Sequence, residues 1–260
     1  MDIELLGKEK GKVRFVAKGT SPAVMNAYRR IVVNDVPAMA NDTVEIVENS
    51  SALYDEVFAH RLGLVVLKTD LTSYFLKETC KCKGEGCARC TLDLTLEAEG
   101  PGIVYAEQLQ SKDPAVVPMY PKTPIVKLIE GQRVKVHAKA ILGRGREHIK
   151  YSPGLLWYQG YPHVKVKNVK NAEGVAAVCP TKVFGVDGGK LKVKKEDACI
   201  LCMACVDASH KEVDVKGSDT DFIVTLEPWG QLTPEQIVES IADAVHENLD
   251  VVSDAIKKLK

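Results

Sequence analysis

Eight cysteines gathered into two sets of four constrain this chain more than any other feature, because thiols at such spacings are placed to hold metal rather than to form a bridge framework. The first set, Cys80-Lys-Cys82-Lys-Gly-Glu-Gly-Cys87-Ala-Arg-Cys90, lies between strand-like YFLKE and TLDLTLEA. Four thiolates on one short glycine-bearing loop can close a tetrahedron about Zn²⁺, whose filled d shell imposes no geometry and which then keeps no open position for substrate. Lys81, Lys83 and Arg89 offset the excess negative charge. The alternative, an unmetallated reduced loop, is disfavoured because the loop has almost no apolar residues with which to order itself. The second set is Cys179-Pro180 followed by Cys199-x-x-Cys202-x-x-Cys205. A C-x-x-C-x-x-C run supplies three thiolates to one iron-sulfur cube, and a distant Cys-Pro supplies the fourth. Zinc is favoured over iron-sulfur for the first set because its spacing is not of this kind.

The second set is complete for one cluster and has no provision for another. Ser209, followed by His210, stands where a further cysteine would be needed, and no second C-x-x-C-x-x-C precedes Cys179. One [4Fe-4S] cluster is therefore expected. A [3Fe-4S] cluster on Cys199, Cys202 and Cys205 is the expectation should Cys179 lie too far away. A module with one cluster is a poor electron relay, which makes a structural role more economical than electron transfer, the alternative function: loop segments with few large apolar residues would be tied together by iron-thiolate bonds, folding and metal binding being one equilibrium. Met203 stands where ferredoxins often have glycine.

Lysine and arginine total 35, as do aspartate and glutamate, so no global charge attracts nucleic acid. The local basic runs at 139–150 and 165–170 read as solvated loops. No stretch has the length of continuous apolar residues needed to span a bilayer, and the N-terminal MDIELLGKEKGKVRF lacks an apolar signal core. With thiols kept reduced, a cytoplasmic location is expected. Phosphate-loop, H-E-x-x-H and nucleophile-elbow motifs are missing, as is the D-x-D-x-D run that would hold Mg²⁺ for nucleotidyl transfer. No catalytic residue is assigned.

Along the chain, Val13–Ala17 alternates as a strand, and Ser21-Pro22 opens a helix that ends before Val36-Pro37. Val24, Ala27, Tyr28 and Ile31 are its expected buried stripe, with Asn26, Arg29 and Arg30 on other faces. A strand over Val44–Val47 and a helix over Ser51–Arg61 follow, the helix burying Leu53, Val57 and Phe58 and stopping near Gly63. Leu64–Leu67 reads as a further strand. Residues 91–142 read as antiparallel sheet, interrupted by a proline-rich stretch at 114–124 that cannot be a central strand. The segment 143–163 receives no assignment. Asp187-Gly188-Gly189 between VFGV and KLKVK marks a hairpin inside the iron-sulfur module.

The chain closes with a strand, DFIVTLE, and a helix opened by Thr233-Pro234-Glu235-Gln236, a capping-box pattern. Nothing visibly stops that helix before Lys260, giving a rod of roughly 40 Å. Ile237, Ile241, Val245, Leu249, Val252, Ile256 and Leu259 step by threes and fours along it. Such a seam either packs within the chain or asks for a partner helix, and its length favours the partner.

Three strings carry a resemblance: Asn26-Ala27-Tyr28-Arg29-Arg30-Ile31, Asp42-Thr43-Val44-Glu45, and Asp55-Glu56-Val57-Phe58-Ala59-His60-Arg61-Leu62-Gly63-Leu64. They resemble the D-type component of archaeal DNA-directed RNA polymerase, homologous to the third-largest subunit of eukaryotic RNA polymerase II and, more distantly, to the N-terminal domain of bacterial RNA polymerase α. The cysteine hairpin and FIVTLEPWGQLTPEQIVESI extend the likeness nearly end to end. The resemblance implies an α+β fold with a discontinuous dimerisation domain, residues 1–43 and 218–260, and an archaeal source. An inserted, mainly antiparallel β domain, 44–164, would carry the zinc loop 80–90, and a ferredoxin-like domain would occupy 165–217. It further implies a noncatalytic assembly subunit of a nucleotidyltransferase acting in transcription. Its heterodimer with small subunit L would form the platform for subunits N and P and the second-largest subunit, with no sequence-specific DNA contact of its own. Asn26, Arg29 and Arg30, with Ile241, Val245, Leu249, Val252 and Ile256, are the interface residues so implied. Arg29 and Arg30 are suited to paired bonds with a large subunit, a solvated helix face being the plainer alternative.

Overall fold

A computed structural model describes residues 1–9 and 11–259. In chain order the elements are β1 (Asp2–Glu9), β2 (Lys12–Lys18), α1 (Pro22–Asn34), β3 (Pro37–Asn49), α2 (Asp55–Gly63), β4 (Leu92–Glu99), β5 (Gly102–Tyr105), β6 (Gln110–Ser111), β7 (Pro124–Leu128), β8 (Arg133–Arg144) and β9 (Gly154–Val166). They continue with α3 (Ala172–Ala177), β10 (Phe184–Asp187), β11 (Lys190–Val193), α4 (Ala204–Ala208), β12 (Val213–Pro228) and α5 (Pro234–Lys257). Contacts divide the chain into two compact units, Met1–Ala27 with Leu156–Leu226, and Tyr28–Leu155 with Glu227–Lys260.

The first unit joins early and late sequence in one four-stranded sheet of order β1-β2-β12-β9. β2 and β12 run antiparallel in the register Ala17 opposite Phe222 through Val13 opposite Leu226. Phe222, Ile223, Val224 and Leu226 are all buried, so β12 is covered on both faces, as its unbroken apolar run requires. β1 and β9 are the edge strands, β1 bulged between Leu5 and Gly7. The module of the second cysteine set belongs to this unit, with α3, the β10–β11 hairpin and α4 around buried Val175, Val183, Phe184, Leu191, Val213 and Val215, an apolar core larger than its loop-rich sequence leads one to expect. Gly188 and Gly189 both have positive φ, +56° and +73°, the type I′ geometry that a two-residue hairpin prefers.

The second unit is built on the antiparallel sheet β3-β8-β4-β6. Alternation along β4 and β8 puts Leu92, Leu94 and Leu96 with Val134, Val136 and Ala138 on one face, where Phe58 and Leu62 of α2 cover them. Glu97, Glu99, Arg133 and Lys135 pair on the solvent side. The proline-rich stretch is loop, and β5 with β7 forms a separate two-stranded sheet. α5 opens as its sequence indicates: Thr233 accepts from the Gln236 N–H, and the Gln236 side chain accepts from the Thr233 N–H. It ends at Lys257.

The structure departs from the sequence expectations in several places. Leu64–Leu67 is not a strand; Lys68 donates to the Val117 carbonyl and Met119 to that of Val66, so only the single bridge of Leu67 to Pro118 forms. The unassigned 143–163 contains most of β9, whose GLLWYQGYPH lacks strict alternation and so gives no strand signal. α2 begins at Asp55 because Asn49 accepts from Ser51 and Ser51 from Leu53, side-chain bonds that hold 49–53 in turns instead of helix. Its buried residues are Phe58 and Leu62, while Val57 is exposed. The buried face of α1 is Met25, Ile31 and Val32, while Val24 and Ala27 face solvent. The expected boundaries at 43/44, 164/165 and 217/218 fall inside β3, β9 and β12, which run through them without interruption.

Candidate metal centres

The loop of the first cysteine set is anchored at its base by the core. Tyr74 and Leu76 are buried there, Phe75 donates its N–H to the Arg89 carbonyl, and the Arg89 guanidinium lies over the Phe75 ring. Beyond Cys80 the backbone coils tightly. Lys83 donates to the Cys80 carbonyl and Glu85 to that of Cys82, with positive φ at Lys83, Gly84 and Gly86. Cys90 and Thr91 then both donate to the Cys87 carbonyl, and the chain leaves as β4.

This winding brings four sulfurs together. Sγ–Sγ separations are 3.4 Å for Cys80–Cys82, 3.5 Å for Cys80–Cys87, 3.5 Å for Cys82–Cys90 and 3.9 Å for Cys87–Cys90. A tetrahedron with zinc–sulfur bonds of about 2.3 Å has edges of about 3.8 Å. The quartet thus has the dimensions of one tetrahedral ion, and all four sulfurs lie within 4.8 Å of one another. The donor set fits zinc, with Cys80, Cys82, Cys87 and Cys90 as ligands. The thiols are poised unequally: backbone N–H groups of Cys87 and Gly86 hold Cys82 down at about 5, while burial pushes Cys90 up to about 12. An inward-facing anion of this kind is stable only with a cation beside it.

The second set is assembled differently. Cys179 follows α3, Cys199 closes a helical turn over 196–198, and Cys205 lies in α4. Cys199 and Cys205 are buried in the module's apolar cluster with Cys179 packed against it, while Cys202 is exposed. Burial raises the thiols of Cys199 and Cys205, with added repulsion from the other cysteines of the set. At Cys179 burial also opposes ionisation, but N–H groups of Val183, Thr181 and Lys182 and the Thr181 hydroxyl outweigh it and leave the thiol below its ordinary range. These sulfurs do not meet at one point. Among the described residues the 80–90 quartet is the group that converges tightly enough for a single ion. Three thiols in or against an apolar cluster and a fourth at the surface, not converging on one point, suit a polynuclear cluster, in which each thiolate binds its own iron. Ser209 is buried and structural: its hydroxyl donates to the Val206 carbonyl and accepts from the Val213 N–H.

Sequence reasoning missed two side chains at this second centre, Arg14 and Gln159. They contact the Cys199 loop from strands far away in sequence, and no motif marks them. Of the residues expected at an interface, Asn26 and Arg30 are exposed and Arg29 is half-buried on α1. On α5, Ile241 is already buried within its own chain and Val245 is half-buried, whereas Leu249, Val252 and Ile256 are exposed.

Comparison with known proteins gives both centres a family context. Residues 36–156 match the RNA polymerase Rpb3/RpoA insert domain. The chain is 35% identical to the DNA-directed RNA polymerase subunit Rpo3 of Archaeoglobus fulgidus over 100% of its own length and 99% of that relative. It is 43% identical to the Pyrococcus furiosus subunit Rpo3, over 100% of this chain and 98% of that one. The Methanothermobacter thermautotrophicus subunit Rpo3 is 36% identical, with 97% of each chain covered.

Proposed function

The chain belongs to the Rpo3 family of DNA-directed RNA polymerase subunits, and from that membership we propose that it dimerises with small polymerase subunit L to make the platform for the larger subunits. It is a subunit of an enzyme, with a scaffold role in assembly and no catalytic role of its own. No helix among the described residues is long and apolar enough to cross a membrane.

The observation that carries the proposal is the change in burial along α5. Ile237, Ser240, Ile241 and Ala244 are buried in the first half of the helix. In the second half Leu249, Val252 and Ile256 continue the same stripe at 60%, 56% and 54% exposure. A 24-residue helix is about 36 Å long, and its own unit covers only the beginning. An amphipathic helix whose apolar stripe outruns its core has a partner as its simplest cover. The exposed Val24 and Ala27 on α1 offer a second small apolar surface of the same kind. Subunits N and P and the second-largest subunit would dock on the completed heterodimer, with Asn26, Arg29 and Arg30 facing outward to a large subunit.

In this reading Zn²⁺ is held by Cys80, Cys82, Cys87 and Cys90, and one [4Fe-4S] cluster by Cys179, Cys199, Cys202 and Cys205. Each tethers its own loop, and neither takes part in nucleotide chemistry. Anaerobic co-expression with subunit L, followed by size exclusion and metal analysis, tests the proposal. The heterodimer is expected with zinc and one cluster. Leu249→Asp should abolish it while leaving the melting temperature of the isolated chain within about 1 °C, since an exposed surface change alters stability little. A stable heterodimer that tolerates Leu249→Asp would refute the assignment of the interface to α5.

A further inference from the structure

The loop that carries Cys199 is held from outside its own module. Gln159 of β9 donates Nε2–H to the Cys199 carbonyl at 2.8 Å. Arg14 of β2 donates from its guanidinium to the Asp197 carbonyl at 3.1 Å, across 183 residues of sequence. The Val164 N–H of β9 donates to Glu196 Oε1 at 2.7 Å. Three residues of one short loop are thus tied to two strands of the β1-β2-β12-β9 sheet, all within the first compact unit.

These bonds complete Cys199. Its N–H already donates to the Glu196 carbonyl. With Gln159 on its carbonyl, both backbone polar groups of the residue are engaged. Without Gln159 that carbonyl would face a groove of about 470 Å³ lined by Lys12, Trp157 and Ile200 and would need another partner, since a buried carbonyl is costly to leave unpaired. The Arg14–Asp197 ion pair is long, 4.0 Å, with both side chains more than a third exposed, so its charge contributes little and the guanidinium bond to the carbonyl is the part that orients the loop.

The geometry points to Gln159 and Arg14 as positioning residues for the cluster ligand Cys199, so that sheet and cluster stabilise each other: the sheet strengthens iron binding, and bound iron stabilises β9 against opening. The reciprocity is thermodynamic, since any coupling between two sites acts equally in both directions. The inference rests on the proposed assignment of a cluster to Cys179, Cys199, Cys202 and Cys205.

The test uses the full chain, reconstituted anaerobically with iron and sulfide, and follows bleaching of the visible absorption under excess iron chelator. Gln159→Met keeps the length of the side chain and removes its donor; bleaching should accelerate about fivefold, the effect of one lost hydrogen bond. Arg14→Met should accelerate it about two- to threefold, and Arg14→Lys, which retains a donor, should restore the original rate. The second readout is amide exchange. Stripping iron from the unaltered chain should raise exchange across 156–166, and in Gln159→Met stripping should add little further change. Amide protection of β2 and β12, in the same compact unit, reports folding of the variants, and the Arg14 pair carries the test if Gln159→Met does not fold. Bleaching at the original rate in both Met variants, or exchange across 156–166 that ignores iron, overturns the positioning role. An unaltered chain that takes up no iron instead overturns the cluster assignment itself, so the two failures are distinguishable.

Discussion

The two cysteine quartets solve the same problem by opposite means. The 80–90 loop brings its sulfurs together through backbone alone, with Gly84 and Gly86 at left-handed φ and the ligand-bearing segment contributing only its cysteines to burial. The 179–205 set gathers its thiols around a core of nine buried residues and forces two ordinary side chains, Leu201 and Met203, into left-handed φ at +56° and +64°. In the first case glycine removes the backbone cost at two of three left-handed positions, Lys83 at +54° being the third, and the metal must supply the cohesion. In the second, apolar packing supplies cohesion that offsets a strain of about 1–2 kcal/mol at each left-handed residue. Two loops with the same number of thiols thus differ in how much of their order survives without metal.

The largest expected effect follows from the first loop. Structural zinc in small domains contributes about 10–16 kcal/mol of apparent binding free energy, and nothing else in 80–90 replaces it. Cys82→Ser should therefore bring bound zinc to near zero and raise amide exchange across 80–90 to unfolded rates, while the sheet β3-β8-β4-β6 stays protected. An ordered loop after zinc loss would erase the contrast between the two centres. The next effect belongs to the module. Phe184 is buried in its core, and Phe184→Ala should cost about 3–5 kcal/mol, measured as a lower denaturant midpoint for the 165–217 region with zinc content unchanged. If the iron-free module is indifferent to Phe184→Ala, its order comes from the cluster, and the two centres are alike after all.

What can be read from the sequence divides along the same line. Local signals are legible: the eight cysteines, the Gly188-Gly189 turn, the Thr233/Gln236 capping box and the 3.6-residue period of α5 are each written within a few neighbouring residues. Long-range ones are not. β9 escapes notice because Gly160 and Pro162 break its alternation, although Gly160 is demanded by the partner strand: a Cβ there would lie 2.5 Å from the Ser218 carbonyl oxygen. The buried face of α1 is displaced by one position from the periodic reading, because Met25 and Val24 are both apolar and only the tertiary fold decides which turns inward. Gln159 and Arg14 carry no signal at all, since a glutamine or an arginine in a strand is an ordinary residue until a loop 40 or 183 positions away arrives beside it.

A smaller effect sharpens the contrast in backbone strain. Met203 is 40% exposed, so its side chain has limited packing to lose. Met203→Gly should stabilise the iron-free module by about 1 kcal/mol, the relief of left-handed strain less the added freedom of glycine in the unfolded chain. The same relief is already built into the first loop at Gly84 and Gly86, where replacement by alanine should act in the opposite sense and by a similar amount. Parallel denaturation of the two variants decides it, and equal signs would show that φ does not separate the centres.

The smallest expected effect concerns the approach to the 80–90 loop, which is tied by a carboxylate as well as by the core. Asp70 Oδ1 accepts from the Thr72 N–H, the Thr72 hydroxyl and the Ser73 N–H, fixing the turn that leads to Tyr74. Bonds from Ser73 and Thr72 hold its carboxyl down at about 2, from an ordinary 3.8. The sign follows from the depression: the ionised form is favoured in the folded chain, so its contribution is complete above about pH 4 and disappears as pH falls through about 2. Asp70→Asn should therefore lower stability slightly at neutral pH and flatten the acid limb of the curve between those values. The 165–217 module should not feel the change, because Asp70 belongs to the other compact unit. An acid limb unaltered by Asp70→Asn would mean that the turn is held by the buried Tyr74 and Leu76 alone, and the first centre would then share the second one's reliance on apolar packing.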